Sequence, residues 1–261
     1  MKPESVIEAK YFTKPFSELT NKYPILKSYL ISINPPKFDL GNPKILSLIN
    51  KYLYKEVVNL EVSVPQNYLI PSLGIRYAYC EYIVSTIKTN YPLIEIGTGA
   101  SAAISMILAS VYNKNVLATE INEDSFHSAL RNIEINQLNN SINLLKSKGE
   151  ILHDLIPKGN YSGLLCYPPI YTNDKTILAK KRGWKGKETE LFGGGEEGLD
   201  FALQLIEEAL NNNDICIEVI SLMLLKKEQV KILIRNIPKK RKKHYIEIIA
   251  GTRKRYVVII K

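Results

Sequence analysis

The sequence predicts an α/β fold, a mostly parallel sheet covered by helices on both faces and preceded by a helical module. Three observations carry this. From Tyr91 onward, short apolar runs ending in small or acidic residues alternate with segments of helical period. Strands separated by helices need crossovers, and crossovers make neighbouring strands parallel. Before about Asn90 the pattern is instead helical and interrupted by proline. Finally, 45% hydrophobic residues, with only 14 Gly and 13 Pro in 261, supply one substantial core and exclude disordered or fibrous classes.

The elements follow in order. Phe16 to Tyr29 reads as helical and is followed by the Pro35-Pro36 break. Ile45, Leu46, Leu48, Ile49 and Leu53 share one face of a helix from Pro43 to Tyr54. Another amphipathic segment, Arg76 to Lys88, follows the turn Ile70 to Gly74, and these pieces make a module over residues 1–90. Over 91–261, Pro92 to Ile96, Asn115 to Thr119, Ile142 to Leu145, Gly163 to Cys166 and Ile215 to Leu222 read as strands. Between and after them, Ala102 to Tyr112, Asp124 to Gln137, Leu199 to Leu210 and Lys226 to Asn236 read as helices. A hairpin of Tyr245 to Ala250 and Tyr256 to Ile260 closes the chain.

Composition narrows the function. Thirty-five Lys and Arg against 26 Asp and Glu give a net charge of +9, so a polyanion is the first partner to consider. Cys80, Cys166 and Cys216 lie far apart in apolar stretches, and His127, His153 and His244 are scattered. Buried, reduced thiols and no metal site are therefore expected. Met1-Lys2-Pro3-Glu4 leads into polar residues, and no apolar run reaches the ~18 residues of a membrane span. A soluble, cytoplasmic protein, working as a monomer and away from membranes, is expected.

The strongest local motif is Glu95-Ile96-Gly97-Thr98-Gly99-Ala100-Ser101, which joins a buried strand to a helix. Glycines at such a turn let a ligand approach the backbone where open parallel sheets bind ligands. On their own they suit NAD, S-adenosylmethionine (SAM) or a plain tight turn. Glu95, ahead of the glycines, would repel a pyrophosphate but attract a sulfonium bearing an ammonium group. Glu120, ending the next strand, can accept hydrogen bonds from both ribose hydroxyls. Either acid, alternatively, is a solvated strand end. The segment Tyr167-Pro168-Pro169-Ile170-Tyr171 then runs a strand into a stiff corner whose carbonyls are fixed in direction. Such a corner suits gripping a planar amino group by its hydrogens while a methyl donor faces the lone pair. In isolation it also reads as an ordinary strand stop.

Basic residues are uneven along the chain. From Leu224 to Lys261 there are thirteen Lys or Arg against Glu228 and Glu247, including the run Lys239-Lys240-Arg241-Lys242-Lys243. Lys180, Lys181 and Arg182 adjoin Trp184 directly after the diproline. Phosphate neutralisation beside an aromatic suits looped or single-stranded nucleic acid, whereas a solvated lysine-rich surface is the plainer alternative. Phe192 to Gly198, with four glycines, reads as a mobile loop that orders on binding, or as a simple linker.

Several blocks in one order resemble the RlmF-type ribosomal RNA adenine N(6)-methyltransferases and their eukaryotic relatives acting on small nuclear and hairpin messenger RNA. These are Lys22-Tyr23-Pro24, Leu69-Ile70-Pro71 leading to Arg76, Ile94 to Ser101, Ala118-Thr119-Glu120, the diproline, Gly193 to Phe201, and Gly251-Thr252-Arg253. The resemblance implies a class I, Rossmann-like, SAM-dependent methyltransferase with a seven-stranded sheet whose last strand is antiparallel. It also implies an N-terminal module that helps bind RNA. Arg76 would meet the cofactor's carboxylate, Gly97 and Gly99 its methionine part, and Glu120 its ribose, with Glu95, Thr98 and Ser101 counted in the same site. The family's Asn-Pro-Pro-Phe is here Tyr167-Pro168-Pro169-Ile170. Tyr167, Pro168 and Pro169 would position the amine, and Tyr171 would stack on the base in place of the missing Phe. Structured RNA would be held by Lys180, Lys181, Arg182, Trp184, Lys240, Arg241 and Arg253. Three readings follow: an adenine N(6)-methyltransferase, a binding protein that has lost catalysis through the Tyr167 and Ile170 changes, or a methyltransferase for guanine or protein glutamine amines.

Overall fold

The computed structural model describes residues 2–9, 16–66, 68–172, 191–251 and 253–261. In chain order, β1 (Val6–Glu8), α1 (Phe16–Lys22), the hairpin β2 (Leu30–Ile33) and β3 (Pro36–Phe38), α2 (Pro43–Val58) and α3 (Leu73–Thr86) come first. Next are β4 (Leu93–Ile96), α4 (Ala103–Tyr112), β5 (Val116–Glu120), α5 (Glu123–Ile135), β6 (Ile142–Lys146), β7 (Gly159–Tyr161) and β8 (Gly163–Cys166). The chain ends with α6 (Asp200–Asn211), β9 (Ile215–Ile217), β10 (Ile220–Leu224), α7 (Lys227–Asn236), β11 (Lys243–Ala250) and β12 (Arg253–Ile260).

Among the described residues, eight strands form one sheet in the order β1-β11-β12-β10-β8-β4-β5-β6. The strands from β10 to β6 are parallel, and β12 runs antiparallel to both its neighbours. The expected seven strands gain an eighth, because β1 pairs in parallel with β11. Its three residues are too short to announce a strand by alternation. The expected single strand over 215–222 divides into β9, which pairs with β7, and β10 in the main sheet. Between them Glu218 accepts hydrogen bonds from the N–H groups of Lys88 at 2.7 Å and Thr89 at 3.1 Å, tying β10 to the end of α3.

Alternation along the strands sends side chains to two cores. Leu93, Leu165, Val257 and Ile259 face one layer with α2, α3 and α4, whereas Ile94, Leu164, Cys166, Val258 and Ile260 face the other with α6 and α7. The N-terminal helices are thus not packed apart from the sheet: Leu53, Tyr79 and Ile83 share a core with Leu165 and Met223. The buried Tyr79 hydroxyl donates to Ser221 Oγ on β10 at 2.9 Å. Cys80 and Cys166 are buried as expected, but Cys216 is exposed, since β9 is short and outside the main sheet.

Shared packing has a thermodynamic consequence. Ile83→Ala removes a side chain only 1% exposed and should destabilise the protein by about 2–5 kcal/mol. Urea unfolding followed by far-ultraviolet circular dichroism and tyrosine fluorescence should give one coincident transition. Two transitions, with only one displaced, would show that the N-terminal helices fold independently.

Candidate active site

The carboxyl ends of the parallel strands open onto a cleft of about 300 Å³. Two corners on adjacent strands line it: the glycine turn after β4 and the diproline segment after β8.

In the glycine turn, Gly97 and Gly99 adopt φ near +70°, a region costly for other residues. A Cβ on Gly97 would meet nothing within 4 Å, so the backbone there borders open cleft. Hydrogen bonds to β5 hold the turn: the Thr98 N–H reaches the Thr119 carbonyl at 2.9 Å, and the Gly99 N–H reaches Glu120 Oε2 at 2.8 Å. Glu120 Oε1 accepts from the Asn122 N–H at 2.8 Å. The carboxylate is therefore fixed at the strand end while lone pairs remain for further donors. Burial raises its pKa, opposed by these backbone N–H groups.

Glu95 borders the cleft, and its side chain is held by hydrogen bonds within the protein. Its Oε2 accepts from Ser105 N at 3.0 Å, from the Ser105 hydroxyl and from Thr98 Oγ1 at 2.8 Å. The residue preceding α4 is Ala102, which has no side chain to cap the helix, and Glu95 takes that role from β4. Burial pushes its carboxyl above the ordinary range against the pull of those donors. Ser101 Oγ similarly accepts from the Ala103 N–H at 3.3 Å. Glu95, Thr98 and Ser101 border the cleft, yet these side-chain bonds serve the turn and the helix start. Asn132 of α5 completes the support, donating to the carbonyls of Ala100 and Ser101 at 3.2 and 3.3 Å.

The diproline corner is held from outside the sheet. Tyr171 N–H donates to the Leu191 carbonyl at 2.8 Å, and Gly193 N–H donates to the Tyr171 carbonyl at 3.3 Å. Gln229 of α7, fully buried, donates through Nε2 to the carbonyls of Ile170 at 2.9 Å and Glu197 at 2.8 Å. Its Oε1 accepts from the N–H groups of Leu225 at 3.2 Å and Lys226 at 3.0 Å. No described donor reaches the Pro168 carbonyl. Ile170 is buried in the second core while bordering the cleft, and Tyr171, half-buried, lines the cleft beside it. The glycine segment expected to be a mobile loop packs tightly here: a Cβ on Gly193 would fall 2.1 Å from the carbonyl oxygens of Pro169 and Gly198.

Three guanidinium groups gather around Tyr167. The Arg76 and Arg255 carbons lie 5.7 and 5.8 Å from its ring centroid, and Arg255 Nε donates to its hydroxyl. Arg253 also lines the cleft, and burial together with Arg255 and Arg76 lowers its pKa. Near Arg76, the buried Ser72 hydroxyl has no partner among the described residues. Arg255, Gln229, Asn132 and Ser72 were not evident as site residues in the sequence, because each depends on contacts that only the fold creates.

The other expected RNA contacts separate. Lys180, Lys181, Arg182 and Trp184 lie outside the described residues. Lys240 and Arg241 do not approach the cleft. They precede Lys243, which pairs with Ile260 level with Ile220, at the amino end of β10. Arg253, by contrast, is seven residue steps along the hairpin from that end, roughly 24 Å. Among the described residues, no group of three or more His, Cys, Asp or Glu is placed to hold a metal, and no helix is long and apolar enough to cross a membrane.

A family model described as RNA methyltransferase matches residues 6–260. The chain belongs to this family. Among relatives, a protein of Methanocaldococcus jannaschii with a provisional methyltransferase name is 32% identical, covering 93% of this chain and 94% of that protein. The ribosomal RNA large subunit methyltransferase F of Christiangramia forsetii is 27% identical over 80% of this chain and 81% of its own. The hMettl16 catalytic domain in complex with the MAT2A 3′UTR hairpin 1 superposes with a TM-score of 0.86 at 25% identity, covering 97% of this RNA methyltransferase and 93% of that chain. The N-terminal domain of human METTL16 in complex with SAH gives 0.78 at 25% identity, covering 98% and 99%. The Rossmann-like methyltransferase fold is thus shown by sequence family and by structure.

The tight packing around the diproline is open to test. Gly193→Ala should destabilise this RNA methyltransferase by at least about 2 kcal/mol, since backbone rather than a flexible side chain meets the new methyl group. An unfolding midpoint unchanged to within 0.5 kcal/mol (about the scatter of ordinary surface substitutions) would mean that this contact yields easily.

Proposed function

We propose that this RNA methyltransferase methylates the exocyclic N(6) amine of an adenosine in structured RNA, with SAM as donor, acting as a cytoplasmic monomer without a metal. One observation carries the reading: the glycine turn fixed by Glu120 and the diproline corner face the same cleft from adjacent strands. The complexes of relatives with SAH and with an RNA hairpin support it.

The chain's own groups suit SAM. Glu120 has lone pairs left for ribose hydroxyls, and the open backbone at Gly97 leaves room for the methionine part. Arg76, beside the unpartnered Ser72 hydroxyl, offers a cation and a polar group to the carboxylate. When bound, SAM supplies a methyl group on a positively charged sulfur, which leaves with the bonding electrons. The Pro168 carbonyl accepts one amine hydrogen, keeping the nitrogen lone pair directed into the cleft. Tyr171 covers the base, since the aliphatic Ile170 offers no ring to stack on it. After transfer the surplus amine proton passes to water. Catalysis of this kind is alignment, with the surplus proton released to solvent at the open cleft and no acid–base relay required.

Tyr167 is built into this site. Its phenol and ring satisfy Arg255 and Arg76, so it favours an adapted catalyst over a decayed one. Methyl-labelled SAM incubated with structured RNA should put label into adenosine. No label in RNA, despite measurable SAH binding, overturns the proposal, and label on guanosine would redirect it. Tyr167→Asn, which restores the family residue, should lower kcat/KM at least tenfold because Arg255 loses its acceptor. A gain of activity would show that the tyrosine impairs an ancestral reaction.

A further inference from the structure

The basic residues that lie far from the cleft form a track. The first turn of α7 adjoins the cleft, where Leu225 lines it and Gln229 holds the Ile170 carbonyl. The helix then returns along the sheet to the opposite edge. Val230 and Leu233 face the core, while Lys227, Lys231 and Arg235 recur every four residues on another side, about 6 Å apart along the axis. Lys231 and Arg235 are exposed, and so are Lys239, Lys240, Arg241 and Lys242, which follow the helix in the turn before β11. Lys243 differs, because its ammonium donates to the carbonyls of Ile237 and Pro238 and so closes the helix end.

Elsewhere surface lysines find acids: Lys22 with Glu56, Lys146 with Glu123, Lys158 with Asp214 and Lys226 with Glu197. Among the described residues, none pairs with Lys231, Arg235 or the segment 239–242. Like charges four apart oppose helix formation, so their concentration here works against the fold unless a polyanion offsets it. Among the described residues, no exposed large apolar side chain of the kind a membrane surface would require accompanies the track: those found lie at positions 6 to 135. Among the described residues, no exposed aromatic accompanies the track either, which suits phosphate contact more than reading of bases.

We propose that the outer side of α7 and residues 239–242 form a second RNA-binding surface, which grips the backbone of a duplex arm leading away from the methylated nucleotide. Only the choice of RNA as the polyanion rests on the function proposed above. The cleft selects the nucleotide. The track measures whether a structured arm of sufficient length is attached to it, contributing affinity that depends on length and salt.

The test compares the native 261-residue chain with Lys239→Glu, Lys240→Glu, Arg241→Glu and Lys242→Glu combined, and with the four changed to Gln. Binding is measured for a hairpin with a long stem and for a short single-stranded RNA that fills only the cleft, across a salt series. The Glu variant should bind the long hairpin at least tenfold more weakly at moderate salt, with the log–log salt slope reduced by about 3. The Gln variant should show a smaller loss in the same direction. Affinities for the short RNA and for SAH, and the melting temperature, should remain within twofold or unchanged. Equal losses for long and short RNA, or none for either, overturn the proposal, as does a loss confined to binding of phosphatidylserine vesicles. RNA binding is read without turnover, so a failure of methyl transfer in the native protein leaves this comparison intact.

Discussion

Two consecutive prolines at the end of a buried strand create the constraint on which the site depends. They donate no backbone hydrogen bonds, so the sheet cannot hold the chain beyond Cys166 in its usual way. The structure supplies that hold from elsewhere. Gln229 binds the Ile170 carbonyl, and the Leu191 to Gly193 segment pairs with Tyr171. Only glycine allows Gly193 to approach the Pro169 carbonyl so closely. The result is a rigid corner in which the Pro168 and Pro169 carbonyls have no donor among the described residues, with Pro169 covered by Gly193.

Opposite that corner, buried carboxylates divide the labour. Glu95 neutralises the start of α4 and braces the turn through Thr98, while Glu120 ties Gly99 to β5 and stays at the cleft. Both are raised in pKa by burial, yet each gains backbone N–H partners, which is how a charge persists inside a protein. The adjacent cluster of Arg76, Arg253 and Arg255 around Tyr167 gives the same cleft a cationic wall. A pocket with acids at the ends of β4 and β5 and arginines from α3 and β12 matches a donor that carries hydroxyls and a carboxylate, approached by a polyanion.

Much of this was legible in the sequence wherever the signal is local. The strand–glycine turn–helix unit from Glu95 to Ser101, the acid ending β5 and the diproline all announce themselves within a few residues. Three features did not. β1 is only three residues long, with Val6 exposed. Gln229 and Arg255 reach their partners across 59 and 88 residues of chain. The run Lys239 to Lys243 looks like part of the site until the antiparallel pairing of β11 with β12 sends it to the far edge of the sheet. Strand direction, a property of the whole topology, decided that placement.

The central claim, that the diproline corner presents an adenine amine to a methyl donor, is tested most directly by one distance. In a crystal structure with SAH and an adenosine-containing hairpin, the target amine nitrogen should lie about 3 Å from the Pro168 carbonyl oxygen, with Tyr171 against the base. A base bound elsewhere, or that carbonyl capped by the protein's own donors once both ligands are in place, would contradict the account.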